Sequence, residues 1–183
     1  MADRRPIKKE HERFHVQNFV YWLNKTYRCD YKVIAEPEPP EAIIQSKSRI
    51  SWIEISTAFL DKEYARDLMS FATPGEKHVS NAKTLFFGPD RLAAQNFVSV
   101  IKKKLEKKSY LPISQKYGPG YLVIPIHNPF FDRRTIKLMK EEWERTNIND
   151  LGCFRSVRIS YQPTKGITVQ PHCNFYRWPE KRF

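Results

Sequence analysis

Pro39-Pro40-Glu41-Ala42-Ile43-Ile44-Gln45 and Ile50-Ser51-Trp52-Ile53-Glu54-Ile55-Ser56-Thr57 flank the polar tetrapeptide Ser46-Lys47-Ser48-Arg49. Both flanks are rich in β-branched residues, and a polar turn between two such runs predicts a hairpin. A turn centred on Lys47 and Ser48 sets Glu41 opposite Glu54. Strand alternation then puts Glu41, Ile43, Trp52, Glu54 and Ser56 on one face and Ala42, Ile44, Ile53 and Ile55 on the other. Apolar residues on both faces predict a sheet covered on both sides.

Outward from the hairpin, Glu36-Pro37-Glu38-Pro39-Pro40 dictates an extended connector, and Tyr31 to Ala35 reads as a short strand before it. Glu10 to about Tyr27 predicts a helix, with Glu12, Val16, Phe19, Val20 and Leu23 in one stripe at about 100° per residue. Further along, Asp61 to Phe71 and Asp90 to about Lys108 read as helices, with the irregular Thr73 to Pro89 between them. The apolar side of the second carries Ala94, Phe97, Val98, Ile101 and Leu105. Lys108 falls within that side, Lys104 at its margin, and Lys103 away from it. Tyr121 to Ile126, after Gly118-Pro119-Gly120, is nearly all apolar, as a central strand is. Asp132 to about Thr146 predicts a helix, and Phe154 to Tyr161 with Ile167 to Val169 predict a late strand pair around Thr164-Lys165-Gly166. The expected fold is α/β: a single domain over 1–183 whose mixed central sheet is flanked by helices, with a basic strand pair and tail over 154–183.

The chain has 183 residues, 40% hydrophobic and 14% aromatic, which is enough apolar material for one packed core. Lys and Arg number 32 against 20 Asp and Glu, a net charge of +12, which favours a polyanionic partner over a small neutral ligand. Lys102 on the 90–108 helix, and Arg155, Arg158, Lys165 and Arg177 near the C-terminus, are candidate contacts to a nucleic-acid backbone, with Tyr176 and Trp178 as stacking platforms. Met1 to Lys9 lacks the apolar stretch of a secretory signal, and no later run approaches the ~20 apolar residues of a bilayer span, so a soluble, cytoplasmic protein is expected. Cys29, Cys153 and Cys173 are isolated, fit a reducing compartment and are expected to be buried thiols. Neither His11 with His15 nor His172 with Cys173 completes a metal-ligand set. The absence of a Gly-rich phosphate loop and of a nucleophile elbow argues against nucleotide-dependent enzymes and serine hydrolases.

Two carboxylates directly across a hairpin repel each other unless a proton or a cation relieves them. Glu12, Glu41 and Glu54 form an all-oxygen set suited to Mg²⁺, or Mn²⁺, rather than Zn²⁺. The helix Glu, the Pro-Pro-Glu-Ala-Ile-Ile strand and the Trp-Ile-Glu-Ile-Ser strand together resemble the core of the PD-(D/E)XK nuclease superfamily, and the order of elements does so to about Ile126. The resemblance implies a restriction-endonuclease-like core and metal-dependent hydrolysis of phosphodiesters, with DNA favoured over RNA. It implies that Glu41 and Glu54 bind the metal and that Glu12 assists. Glu41 replaces the family's usual Asp, and Ser56 stands where the E-x-K lysine would be. Some members supply that lysine from a neighbouring helix, which makes Lys104 or Lys108 the replacement. The rival expectations are a non-catalytic nucleic-acid-binding module that keeps the fold, and a subunit that docks on a larger complex. A homodimer has precedent among nucleases, but no seam or interface in the sequence supports one.

Overall fold

In the computed structural model the hairpin forms in the expected register. Residues 4–47, 49–81, 88–128, 131–161 and 172–177 are described, the last segment as backbone with the Phe175 side chain. Strand β2 (Ala42–Ser46) pairs antiparallel with β3 (Arg49–Ile55), matching Ala42 with Ile53, Ile43 with Trp52 and Ile44 with Ser51. One further step down this ladder brings Glu41 level with Glu54.

The hairpin belongs to one mixed sheet. Strand β1 (Lys32–Ala35) lies antiparallel to β2, and β3 runs parallel to β5 (Gly120–His127). Next to β5 is the parallel β6 (Phe154–Ser160), and β7 (His172–Arg177) closes the edge antiparallel to it. The order is therefore β1-β2-β3-β5-β6-β7, and the short β4 (Ala58–Phe59) pairs with the far end of β5. β5 is a central strand, as its apolar run demands, and seven of its eight residues are buried. The partner of β6 comes later in the chain than expected; the expected 164–169 stretch lies outside the described residues.

Helices cover both faces. Helix α1 (Arg5–Tyr27) packs Val16, Phe19, Val20 and Leu23 against Ala42, Ile44, Ile53, Ile55 and Val123. It starts earlier than the apolar stripe indicates because Pro6 sits in its first turn, where a missing N–H costs nothing. Arg13 forks onto Glu36 at 3.1 and 2.6 Å and ties the proline connector to this helix. Helix α2 (Lys62–Ala72) follows β4 and is capped by Asp61, which accepts from Tyr64 N–H. On the other face, α3 (Pro89–Leu105) and α5 (Arg133–Glu144) bury Ala94, Phe97, Ile101, Met139 and Trp143 against Trp52, Leu122, Ile124, Val157 and Ile159. The short α4 (Leu111–Tyr117) leads from the end of this face into β5. Asp132 caps α5 and shares Thr135 with Asp90 of α3, which joins the two helices. Among the described residues no helix is long and apolar enough to cross a membrane.

Trp52 is fully buried, donates its indole N–H to Gly118 O at 2.9 Å, and lies so close to Gly120 that a Cβ there would sit 2.3 Å from the ring. A methyl group cannot share that space. Gly120→Ala is expected to cost about 1–3 kcal/mol through displacement of the indole, measurable as a lower urea midpoint with an unchanged slope. An unchanged midpoint would mean that Trp52 is not seated on that glycine.

Candidate carboxylate and lysine site

The site lies where β3, the connector into β2, α1 and the end of α3 meet. Glu54 is 2% exposed on β3, on the face that carries Trp52. Its Oε1 accepts the Tyr110 hydroxyl at 2.6 Å and is ion-paired with Lys104 Nζ. Its Oε2 is buried and has no hydrogen-bond partner. Glu41, just before β2, accepts the Ile55 N–H on its Oε2 at 3.1 Å. Burial, followed by its contact with and repulsion from Glu54, pushes the Glu41 carboxyl up to about 8. Glu12 is 9% exposed and lies 3.2 Å from Lys8, one turn earlier on α1. Burial raises its pKa against the pull of Lys8, and Glu38 and Glu54 repel it further.

The structure therefore brings Glu41, Glu54 and Lys104 together, while Glu12 stands near enough to feel their charge but does not converge with both on one point as a set of metal ligands. Glu54 Oε2 is buried without a hydrogen-bond donor from another residue, and the raised pKa of Glu41 means that a shared proton relieves the repulsion between the two carboxyls. Glu12, Glu38 and Glu41 border a cleft of about 20 Å³. That is room for roughly one ion or water rather than a nucleotide.

Lys108 does not join them. α3 stops at Leu105, and Lys108 begins a 3-10 turn to Tyr110 in which it is exposed. The helical wheel that placed Lys108 inward no longer applies past the helix end, and the same turn delivers Tyr110 to Glu54 instead. Tyr110 is 1% exposed, and burial beside Glu54 raises its pKa, which keeps its proton on the oxygen that donates. Sequence reading missed this residue, and no local pattern marks it. Lys8 was also missed, although its i,i+4 spacing to Glu12 was available.

The other candidates scatter. Lys102 is exposed on α3. Arg155 is half-buried, donates to Pro119 O at 2.7 Å and stands 5.2 Å from the Tyr121 ring centroid. Arg158 is 3% exposed, lies 4.7 Å over Trp22 and donates to the Tyr27 hydroxyl at 3.3 Å, so it cannot track an extended backbone on the outer surface. It is inward because β6 is covered by α1 on that face. Arg158 and Arg155 instead line a much larger cavity, about 980 Å³, with Arg49, Tyr31 and Tyr121; none of the clustered carboxylates borders it. Lys165, Trp178 and the side chains of Tyr176 and Arg177 lie outside the described residues. Cys29 and Cys153 are free thiols, half-buried rather than buried.

Fold and site together define an α/β domain with a carboxylate and lysine cluster at the end of a hairpin. No protein-family model matches the chain, and neither a curated protein nor a solved structure matches it.

Proposed function

We propose that the protein is a metal-dependent nuclease with a restriction-endonuclease-like core, hydrolysing phosphodiester bonds of nucleic acid in the cytoplasm, with DNA favoured over RNA. The observation that carries this reading is Lys104 of α3 resting on Glu54, beside Glu41, in a chain whose E-x-S motif lacks its own lysine. Glu41 and Glu54 would hold Mg²⁺ or Mn²⁺, and Glu12 would have to swing toward them to complete the oxygen set. Such a cation would supply Lewis-acid polarisation of the phosphate and a more acidic bound water. Lys104, fixed on Glu54 Oε1, offers its remaining N–H groups to the charge that grows on the phosphate oxygens. Tyr110 keeps Glu54 oriented. Water adds to phosphorus and gives up a proton to solvent, the ester P–O bond breaks, and the leaving oxygen takes a proton from solvent. The net charge of +12 favours the polyanionic substrate.

Labelled single- and double-stranded DNA incubated with Mn²⁺ should be cut by the native protein and left intact with EDTA or with the Glu54→Ala variant. Cutting that persists unchanged in Glu54→Ala would reject this site. Salt-sensitive binding without cutting would instead identify a binding module that keeps the fold, in line with Ser56 at the lysine position.

A further inference from the structure

We propose that His11, His15 and His127 bind one transition-metal ion of the Zn²⁺ class, at a site distinct from the carboxylates. His11 and His15 are one turn apart on α1, and His127 ends β5, where it pairs with Phe59 of β4. His11 Nε2 lies 3.0 Å from His127 Nε2 and 3.2 Å from His15 Nε2. One ligand-capable atom from each ring falls within 4.8 Å of the others.

Hydrogen bonding accounts for only half of this arrangement. A neutral imidazole nitrogen carries either one proton or one in-plane lone pair, so it makes one good hydrogen bond. His11 Nε2 has two ring nitrogens at hydrogen-bond distance, so its single proton or single lone pair must serve two partners at once. A cation shared by three lone pairs removes that conflict. Tetrahedral coordination with M–N of about 2.0–2.1 Å spaces adjacent nitrogens roughly 3.3 Å apart, within a few tenths of an ångström of the two observed contacts.

The surroundings suit a metal as well. Ser160 Oγ stands 3.4 Å from His15 Nδ1, a second polar group placed at one of the three rings. Phe59 stacks on His127 with centroids 5.4 Å apart, and Phe14 packs edge-on against His15 at 5.3 Å. An all-imidazole set selects Zn²⁺, Co²⁺ or Ni²⁺ over Mg²⁺. His15 is buried while His11 and His127 are half-buried, and three protein ligands leave the fourth position for water or a substrate oxygen. Because His11 and Glu12 are neighbours about 100° apart around α1, the one helix would serve two sites of opposite cation preference.

The test uses untagged full-length protein freed of metal by chelator and titrated with Zn²⁺ by calorimetry and with Co²⁺ by visible absorption. With 10 mM Mg²⁺ present to occupy the carboxylates, one tightly held Zn²⁺ per chain and the intense absorption of tetrahedral Co²⁺ are expected. His127→Ala and His11→Ala should each weaken Zn²⁺ binding by more than about 100-fold, since losing even a group that only supports a ligand costs about 10–100-fold. Glu54→Gln should leave it unchanged, which separates this site from the proposed nuclease centre. Failure of the native protein to take up stoichiometric Zn²⁺, a weak octahedral Co²⁺ spectrum, or undiminished binding by a natively folded His127→Ala variant would overturn the proposal.

Discussion

Replacing Lys104 with alanine is expected to lower metal-dependent cleavage by about 10²–10³-fold, the usual cost of removing one donor aimed at developing charge. Lys104 is 16% exposed at its side chain and Glu54 2%, so the pair is largely shielded from water. Removing one partner leaves Glu54 with only the Tyr110 hydroxyl on Oε1, and the metal-free protein should lose about 2–4 kcal/mol of stability. Lys108→Ala, at an exposed position past the end of α3, should change neither quantity. Steady-state rates and urea denaturation of the two variants, compared side by side, decide which lysine serves the site. Equal losses in both would show that Lys104 is not the lysine that stabilises the reacting phosphate.

Glu41→Gln should behave in a way that few active-site changes do: cleavage is abolished while the metal-free protein becomes more stable at alkaline pH. The folded state holds the Glu41 proton to about pH 8, whereas the free carboxyl releases it near 4.5. Between those values the folded state binds more protons than the unfolded chain, so stability is full below about 4.5 and is lost as pH rises through 8. The loss is on the order of 3–5 kcal/mol. Glutamine keeps the shape and removes the titration, so the variant should match the native protein at pH 5 and exceed it at pH 9. Chemical denaturation at the two pH values checks this. A native protein whose stability is flat across the window would mean that Glu41 is not buried against Glu54.

The hairpin was legible because two independent signals agreed on it. A polar four-residue break fixed the turn, and strict alternation told which side chains would face Trp52 and which Ile53. The central place of β5 followed from its uninterrupted apolar run, and Lys104 from its place at the margin of the apolar stripe. What escaped was set by tertiary structure. Nothing local stops α3 at Leu105: Glu106 and Lys107 are good helix formers, and only the packed structure turns the chain there and swings Tyr110 inward. Arg158 looks like any strand arginine until α1 is known to cover its face. His127 reaches His11 across 116 residues of sequence, a contact that the strand order creates and that no spacing announces.

A divalent cation held by Glu12, Glu41 and Glu54 is what the nuclease chemistry requires, and the most direct measurement is the unfolding free energy with and without Mg²⁺, an ion that three imidazoles do not favour. A site with a dissociation constant near 1 mM gains about 1.4 kcal/mol at 10 mM Mg²⁺. The native protein should show a gain of that order at pH 8, and Glu41→Gln and Glu54→Gln should show none. A native protein indifferent to Mg²⁺, or variants that gain as much as it does, would contradict the carboxylate metal site and the nuclease reading with it.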